Sequence, residues 1–289
     1  MSILEVSPID YHANLGLDRS NIFSPDSFLS KSRLWELNSC SLYRWRFAPK
    51  EFNATAAMSW GSMVDCFLLT PEEVDRTIVF SPYADYRSNA AKEFKKEVEA
   101  SGRVIMKADE VETVKTAVDK IKSDRIAGPI IEASKSQVVL LNEIMGVQFK
   151  GLVDIAPGSG DCLYDLKTTS DFSIRGFSKS IAVFGYHVQA ALYLKLWNLC
   201  NPDDKRDRFR IIWQDSSSPY EVAVTELPTA DIEAGGTWAA HQLDRLIEAT
   251  NRNKWPNILD DKIAVIGRPS WAGYQDEEDL DGITVAPSN

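Results

Sequence analysis

Apolar and polar positions along this 289-residue chain alternate in blocks whose changing period predicts a mixed α/β protein. Residues 1–23 carry little pattern, and Ser24-Pro25-Asp26-Ser27 reads as a helix start with a hydroxyl cap and proline in the first turn. In AAMSWGSMVDCFLLTPEEV, Met58, Trp60, Met63, Val64, Phe67 and Leu68 cover nearly all sides of a helix, which predicts its burial. Ser81 to Ser101 turns polar and then becomes helical. Lys107 to Ser123 is an amphipathic helix with Val111, Val114, Val118 and Ile121 on one side, followed by a Gly128-Pro129 break. Gln137 to Ile144 reads as a strand closed by Met145-Gly146. Val147 to Thr169 then reads as two strands joined at Gly158-Ser159-Gly160-Asp161, residues that favour a tight reversal. Ser170-Asp171 predicts a helix running to Phe184, ended by Gly185, with a second helix in YHVQAALYLKLWNLC. Phe209 to Trp213 and Tyr220 to Leu227 alternate as strands. Ala230 to Asn251 is a long helix weakened by Gly235-Gly236, and the tail, acidic from Asp276 to Asp281, is expected to end in disorder. There is no internal repeat.

Composition narrows the class. With 44% hydrophobic and 26% charged residues the chain is that of a soluble globular protein. No apolar run reaches the roughly 20 residues of a membrane span, and the N-terminus lacks a signal-peptide layout, so a cytoplasmic location in a bacterial or phage-infected cell and no membrane partner are expected. Cys40, Cys66, Cys162 and Cys200 form no C-x-x-C pair, which argues against structural zinc, a disulfide framework or an iron–sulfur cluster; His12, His187 and His241 are equally dispersed. A net charge of −10 argues against a general nucleic-acid coat, but it permits a local basic groove.

Candidate chemistry collects around the hairpin. Period-two alternation places Lys150, Leu152 and Asp154 on one face of its first strand, and Leu163, Asp165 and Lys167 on one face of its second. If those faces meet, two carboxylates and an ammonium are gathered in apolar surroundings, where a divalent cation is an economical partner. A solvated hairpin face with an incidental Asp-x-Lys satisfies the same letters. Asp65 lies mid-way along the apolar helix, where an ionised carboxylate needs a cation or a dense set of donors, or else caps a neighbouring loop. Gly61, one turn earlier, permits a close approach. Before Lys50, Lys31, Arg33, Arg44 and Arg46 are interleaved with Trp35, Tyr43, Trp45 and Phe47, a pattern that suits a nucleic-acid surface or an amphipathic helix with solvated arginines. Arg87, Lys92 and Lys95 belong to a substrate-facing arch or a solvated helix, and Gln189 and Tyr193 share one helical stripe with Tyr186 and Trp197.

Three ordered pieces resemble a known group. W-G-S-M-V-D-C-F-L-L-T-P-E-E is similar to a buried helix written G-x-x-x-H-x-x-x-L-x-P-E. K-G-L-V-D, followed eleven residues on by the Asp of D-L-K-T-T, is similar to a K-G-x-x-D…D-x-K-T block. G-Y-H-V-Q-A-A-L-Y is similar to a Q-x-x-x-Y helix. Together they resemble the PD-(D/E)xK nuclease superfamily, and within it the exodeoxyribonuclease VIII-like and phage recombination exonucleases, over roughly Ala56 to Leu196. One position departs: Asp65 stands where the group usually has His, a change that keeps a ligand for a hard cation but shortens it.

The resemblance implies a single nuclease domain over 1–289, with an N-terminal helical segment (1–55), a restriction-endonuclease-like core of central mixed sheet and flanking helices (56–227), and a C-terminal helix and tail (228–289). It implies a Mg²⁺-dependent DNA exonuclease, with Mn²⁺ as substitute, acting on ends of linear duplex in phage-type recombination or repair. Asp65, Asp154, Asp165 and the Leu166 carbonyl would hold one or two ions; Lys167 would orient water or stabilise the phosphorane oxygens; Gln189 and Tyr193 would brace the site. Arg33, Arg44, Arg46, Arg87, Lys92 and Lys95 would contact DNA. A 5′-3′ polarity, a homo-oligomer and a single-strand annealing partner are implied in the same way. The alternatives are a nuclease module of another repair or CRISPR-type system, and a non-catalytic DNA-binding or DNA-mimicking protein.

Overall fold

The computed structural model describes residues 11, 15–49, 56–260 and 262–269. Lys50, His12, the Met58 side chain, the acidic run and the expected disordered end lie outside the described residues. Eight strands are numbered here in chain order: β1 (Leu29–Ser30), β2 (Ile78–Ser81), β3 (Val104–Lys107), β4 (Ser134–Ile144), β5 (Val147–Pro157), β6 (Cys162–Thr169), β7 (Arg208–Asp215) and β8 (Val222–Glu226). The helices are α1 (Lys31–Trp35), α2 (Leu42–Phe47), α3 (Ala56–Leu69), α4 (Val74–Thr77), α5 (Asn89–Ala100), α6 (Ala108–Ser123), α7 (Ala127–Glu132), α8 (Ile174–Phe184), α9 (Tyr186–Cys200) and α10 (Thr229–Arg252).

Six of the strands form one mixed sheet, and β2 pairs with β3 in parallel apart from it. β4 and β5 run antiparallel from Ser134↔Pro157 to Ile144↔Val147, reversing through Met145 and Gly146, both at positive φ (56° and 80°). β5 and β6 meet in register only at Ile155↔Tyr164 and then part. In the space beside β5 that this leaves, β1 pairs in parallel with Phe149 and Lys150. β6 and β7 are parallel from Cys162↔Arg208 to Thr169↔Asp215, with α8 and α9 as the crossover, and β8 closes the edge antiparallel to β7.

The sheet is apolar on both faces, so both are covered. On one face Val153, Leu163, Phe209 and Trp213 pack against Val188, Leu192 and Leu196 of α9 and Leu243 and Leu246 of α10. On the other, Ile155, Tyr164, Leu166 and Ile212 pack against Met63, Val64 and Leu68 of α3 and Val114, Val118 and Ile121 of α6. Each such side chain contributes roughly 1.5–3 kcal/mol on burial. Two glycines let α9 seat on this frame. A Cβ at Gly151 would meet Leu196 Cδ1 at 3.2 Å and the Tyr193 ring at 3.4 Å. Gly185, at φ 64°, ends α8 in the left-handed region, and a Cβ there would stand 2.6 Å from the Trp35 ring. No helix of the described residues is long and apolar enough to cross a membrane.

The structure departs from several boundaries. The helix after Ser24-Pro25 starts only at Lys31, capped by Ser30; Ser27 is fully buried, its hydroxyl accepting from the Asp18 N–H at 2.9 Å. Gly128-Pro129 is no break, because both residues sit in the first turn of α7, where a missing N–H costs nothing. α8 is capped by Ser173 rather than begun at Ser170-Asp171. Gly235 has a packing reason: a Cβ on it would fall 2.5 Å from the His187 carbonyl, where α10 crosses the start of α9.

Candidate active site

The parting of β5 and β6 makes the site. Where the ladder stops, the Asp154 side chain enters the gap and its Oδ2 accepts the Leu166 backbone N–H at 3.0 Å. Its Oδ1 accepts from Gln137 Nε2 at 3.3 Å. Gln137 has left the β4 register between Ser136↔Ile155 and Val138↔Val153, and its φ of 51° is left-handed, a conformation costing a non-glycine residue ~1–3 kcal/mol.

Asp165 is 2% exposed. Its Oδ1 accepts a 2.6 Å hydrogen bond from Gln189 Nε2 of α9. Its Oδ2 is in ion-pair contact with Lys167 Nζ, which donates to it. The Asp154 and Asp165 carboxyls are themselves within hydrogen-bonding contact. Burial, reinforced by the Asp165 charge, holds Asp154 far above the usual carboxylate range. Asp65 points toward the same centre from α3 and lines one cleft with Asp154 and Gln137. Burial pushes it up to about 7, with Asp165 adding to the rise and Lys167 opposing it. Burial acts to lower the Lys167 pKa, but Asp165 and Asp154 outweigh it and the ammonium is held more firmly than usual. The Lys167 Nζ also stands 5.1 Å from the centre of the Tyr186 ring.

These features fit a divalent cation. Two carboxyls in contact need a proton or a cation between them, and a single ammonium, Lys167, faces the pair. Asp65, Asp154 and Asp165 are the carboxylates whose charges act on one another there. Among the described residues, no three His, Cys, Asp or Glu side chains close into a ready-made ligand cage. The three carboxylates are therefore electrostatic neighbours, and the ammonium of Lys167 supplies the countercharge.

Tyr193 braces the site from behind, packed on Gly151 with its hydroxyl hydrogen-bonded to the Leu152 backbone; its pKa is raised by burial first. Lys150 is not part of the site. Its Nζ donates to the carbonyls of Tyr11 (3.0 Å) and Leu15 (2.6 Å), because β1 and the chain before it cover that stretch of β5. Of the candidate DNA contacts, Arg33 pairs with Glu36, Arg44 is exposed on α2, and Arg46 lies over the rings of Phe47 and Trp255. Arg87 and Lys95 are exposed and pair with Asp85 and Glu99, and Lys92 is exposed on α5. None of them lines the clefts beside the carboxylates. Lys31, Gln137 and Tyr186 do approach the site, and none had been assigned a role there. Lys31 donates to the Phe184 carbonyl and lies 5.8 Å from the Tyr186 ring; burial, then Lys167, lower its pKa to about 8. Arg76 and Arg103 enter the Asp65 cleft, a space of about 600 Å³.

The model of one protein family, the PDDEXK-like domain of unknown function (DUF3799), matches residues 30–262. The chain belongs to this family. The match agrees with the ordered motifs and with the mixed sheet flanked by helices, and nucleases of this group generally depend on a divalent metal. Among solved structures, a presumed exonuclease of Eubacterium rectale is 14% identical with a TM-score of 0.60, the alignment covering 97% of this chain and all (100%) of that one. It supports the fold. An alkaline exonuclease from Laribacter hongkongensis (15% identity, 58% of this chain, 85% of that one) and a phage-related exonuclease from Haemophilus somnus (14%, 83% and 98%) score 0.29 and 0.28, too low to add to it. No curated protein matches the chain.

Proposed function

We propose that this protein is a divalent-metal-dependent DNA exonuclease that degrades one strand of linear duplex from an end. The observation that carries the reading is the Asp154–Asp165 carboxyl pair in contact, Asp165 buried and Lys167 against it, in a family of nuclease fold. Asp65, Asp154, Asp165 and the Leu166 carbonyl would hold Mg²⁺, with Mn²⁺ as substitute. A bound ion there supplies an acidified water and charge neutralisation on the phosphate.

The chain's own groups do the rest. Gln189 occupies Asp165 Oδ1 and Lys167 pairs with Oδ2, so that the carboxylate is held in one orientation. Lys167 carries a secured positive charge to the place where negative charge grows on the phosphate oxygens, and the face of Tyr186 limits where that ammonium can go. Asp154, anchored by Leu166 and Gln137, cannot swing away from it. At a net charge of −10, DNA capture falls to local cations: Lys31 and Lys167 at the centre, Arg76 and Arg103 in the cleft, and the Arg33, Arg44, Arg46, Arg87, Lys92 and Lys95 surfaces beyond. Action in 5′-3′ polarity, a homo-oligomer that encloses DNA, and supply of single strands to an annealing protein in phage-type recombination extend the same reading.

End-labelled linear duplex and covalently closed circles, each with Mg²⁺ and with EDTA, test it. Linear duplex should be degraded with Mg²⁺ only, while circles survive. Equal cutting of both would make the protein an endonuclease, and cutting of neither with Mg²⁺ or Mn²⁺ would favour a non-catalytic DNA-binding role.

A further inference from the structure

A second cleft opens next to Lys167, between α8, Trp60 of α3 and the C-terminal ends of β6 and β7, with a volume of about 310 Å³. It begins at Thr168, the residue after Lys167, and Tyr186 belongs both to its wall and to the surroundings of the Lys167 ammonium. The rings of Trp60, Phe184 and Tyr186 line it, along with hydroxyls such as those of Thr168 and Ser216. Phe184 is 53% exposed, although it stacks on Tyr186 at 5.8 Å. Trp60 buries its indole Nε1–H with no acceptor, a donor left without its bond.

Size and chemistry select the occupant. The volume is at the low end of small-molecule sites, about 300–1,000 Å³, and has room for one nucleoside but not for a duplex. Among the described residues lining it, Lys179 is the sole cation, exposed and accompanied by the Asp171 carboxylate, so the cleft is poorly suited to a phosphate. Aromatic faces with short polar groups suit a base, which offers a π-face for stacking and ring-edge donors and acceptors for the hydroxyls. We propose that this cleft receives the unstacked nucleobase of the terminal nucleotide, placing the adjoining phosphate at Asp165 and Lys167. The proposal rests on the nuclease reading and deepens it: the terminal base pair must open before cleavage.

The test uses linear duplexes carrying, at either terminal nucleotide, a normal base, an abasic residue or 2-aminopurine, with wild type, Phe184→Ala and Trp60→Phe. With Mg²⁺, loss of one stacked base should lower the wild-type kcat/KM roughly 5- to 150-fold at the terminus the enzyme attacks. Phe184→Ala should lose a similar factor on normal DNA and no longer distinguish the abasic end; Trp60→Phe, which keeps a ring and removes only the N–H, should lose less. In EDTA, 2-aminopurine at that terminus should be quenched on binding by wild type and less by Phe184→Ala. Cleavage with no preference for a base and no quenching would overturn the base site and leave the nuclease intact. Quenching without cleavage of any substrate would keep the base site and remove the nuclease reading. A rate governed by the terminal phosphate, with the abasic end cut as fast as the normal one, would overturn the proposal in favour of a phosphate site.

Discussion

Asp65→Asn tests the electrostatics of the centre through stability alone. In the metal-free protein the Asp65 carboxyl is raised from 3.8 to about 7, mainly by burial. Below pH 4 both the folded and unfolded states hold its proton. Between pH 4 and 7 the folded state keeps the proton that the unfolded chain has released, so stability falls as pH rises, and above 7 the whole penalty is present. At ~1.4 kcal/mol per pH unit, the ionised residue costs the metal-free fold about 4 kcal/mol. Asn carries its own burial cost of ~1–3 kcal/mol, which does not vary with pH. The informative quantity is therefore the change in the mutant's advantage. From pH 5 to pH 7 it should grow by about 2 kcal/mol, the folded-state carboxyl being half ionised at pH 7, and then level off above pH 8.

The assay is urea unfolding of both proteins in EDTA at pH 5, 6, 7 and 8. Addition of Mg²⁺ at pH 8 should then stabilise wild type more than Asp65→Asn, because an ion bound only by the folded state adds stability that grows with the logarithm of its affinity. A constant difference between the proteins across pH, or a mutant less stable than wild type at pH 8 in EDTA, would refute both the burial of an ionisable Asp65 and its place at the cation site.

Lys167→Ala should lower turnover by a factor on the order of 10²–10³ while DNA binding in Ca²⁺, measured by fluorescence anisotropy, changes little, since the ammonium acts on charge that grows during reaction. Gln189→Leu removes the 2.6 Å amide donor to buried Asp165 Oδ1, so denaturant unfolding should show a loss of ~1–3 kcal/mol and cleavage should fall with it. Gly151→Val forces a branched side chain against Leu196 and Tyr193 and should cost ~1–3 kcal/mol, read as a drop in thermal midpoint.

The parts of the fold that were readable in the sequence are those dictated by local period. β5 alternates cleanly and the turns on either side of it fall at residues that accept positive φ, and α3 announces its burial by being apolar on most sides. Asp65 was readable for the same reason, as a carboxylate with no business in such a helix without a partner. The short elements were not: β1 has two residues and β2 and β3 four each, too few for any period to show. Ser24 and Ser30 both offer a hydroxyl before a plausible helix, and only the buried turn around Ser27 decides between them. Alternation also erred over Lys150, which shares Asp154's side of an ideal strand but is claimed by the carbonyls of Tyr11 and Leu15. Lys31 reaches the Phe184 carbonyl 153 residues away, a contact that no local pattern encodes.

The site itself depends on a defect in the sheet that alternation cannot express. Had β5 and β6 continued their ladder past Ile155↔Tyr164, the Leu166 N–H would have been free to pair with a β5 carbonyl and the gap that admits the Asp154 carboxylate would have closed. Three features keep it open. β1 gives β5 a different neighbour at Phe149 and Lys150, Asp154 takes the Leu166 N–H for itself, and Gln137 accepts a left-handed backbone opposite and donates to Asp154. The strain at Gln137 and the charge stored in two touching carboxyls are both unfavourable for folding alone. Their coincidence on one side chain, Asp154, is what a cation-binding centre explains and a merely structural hairpin does not.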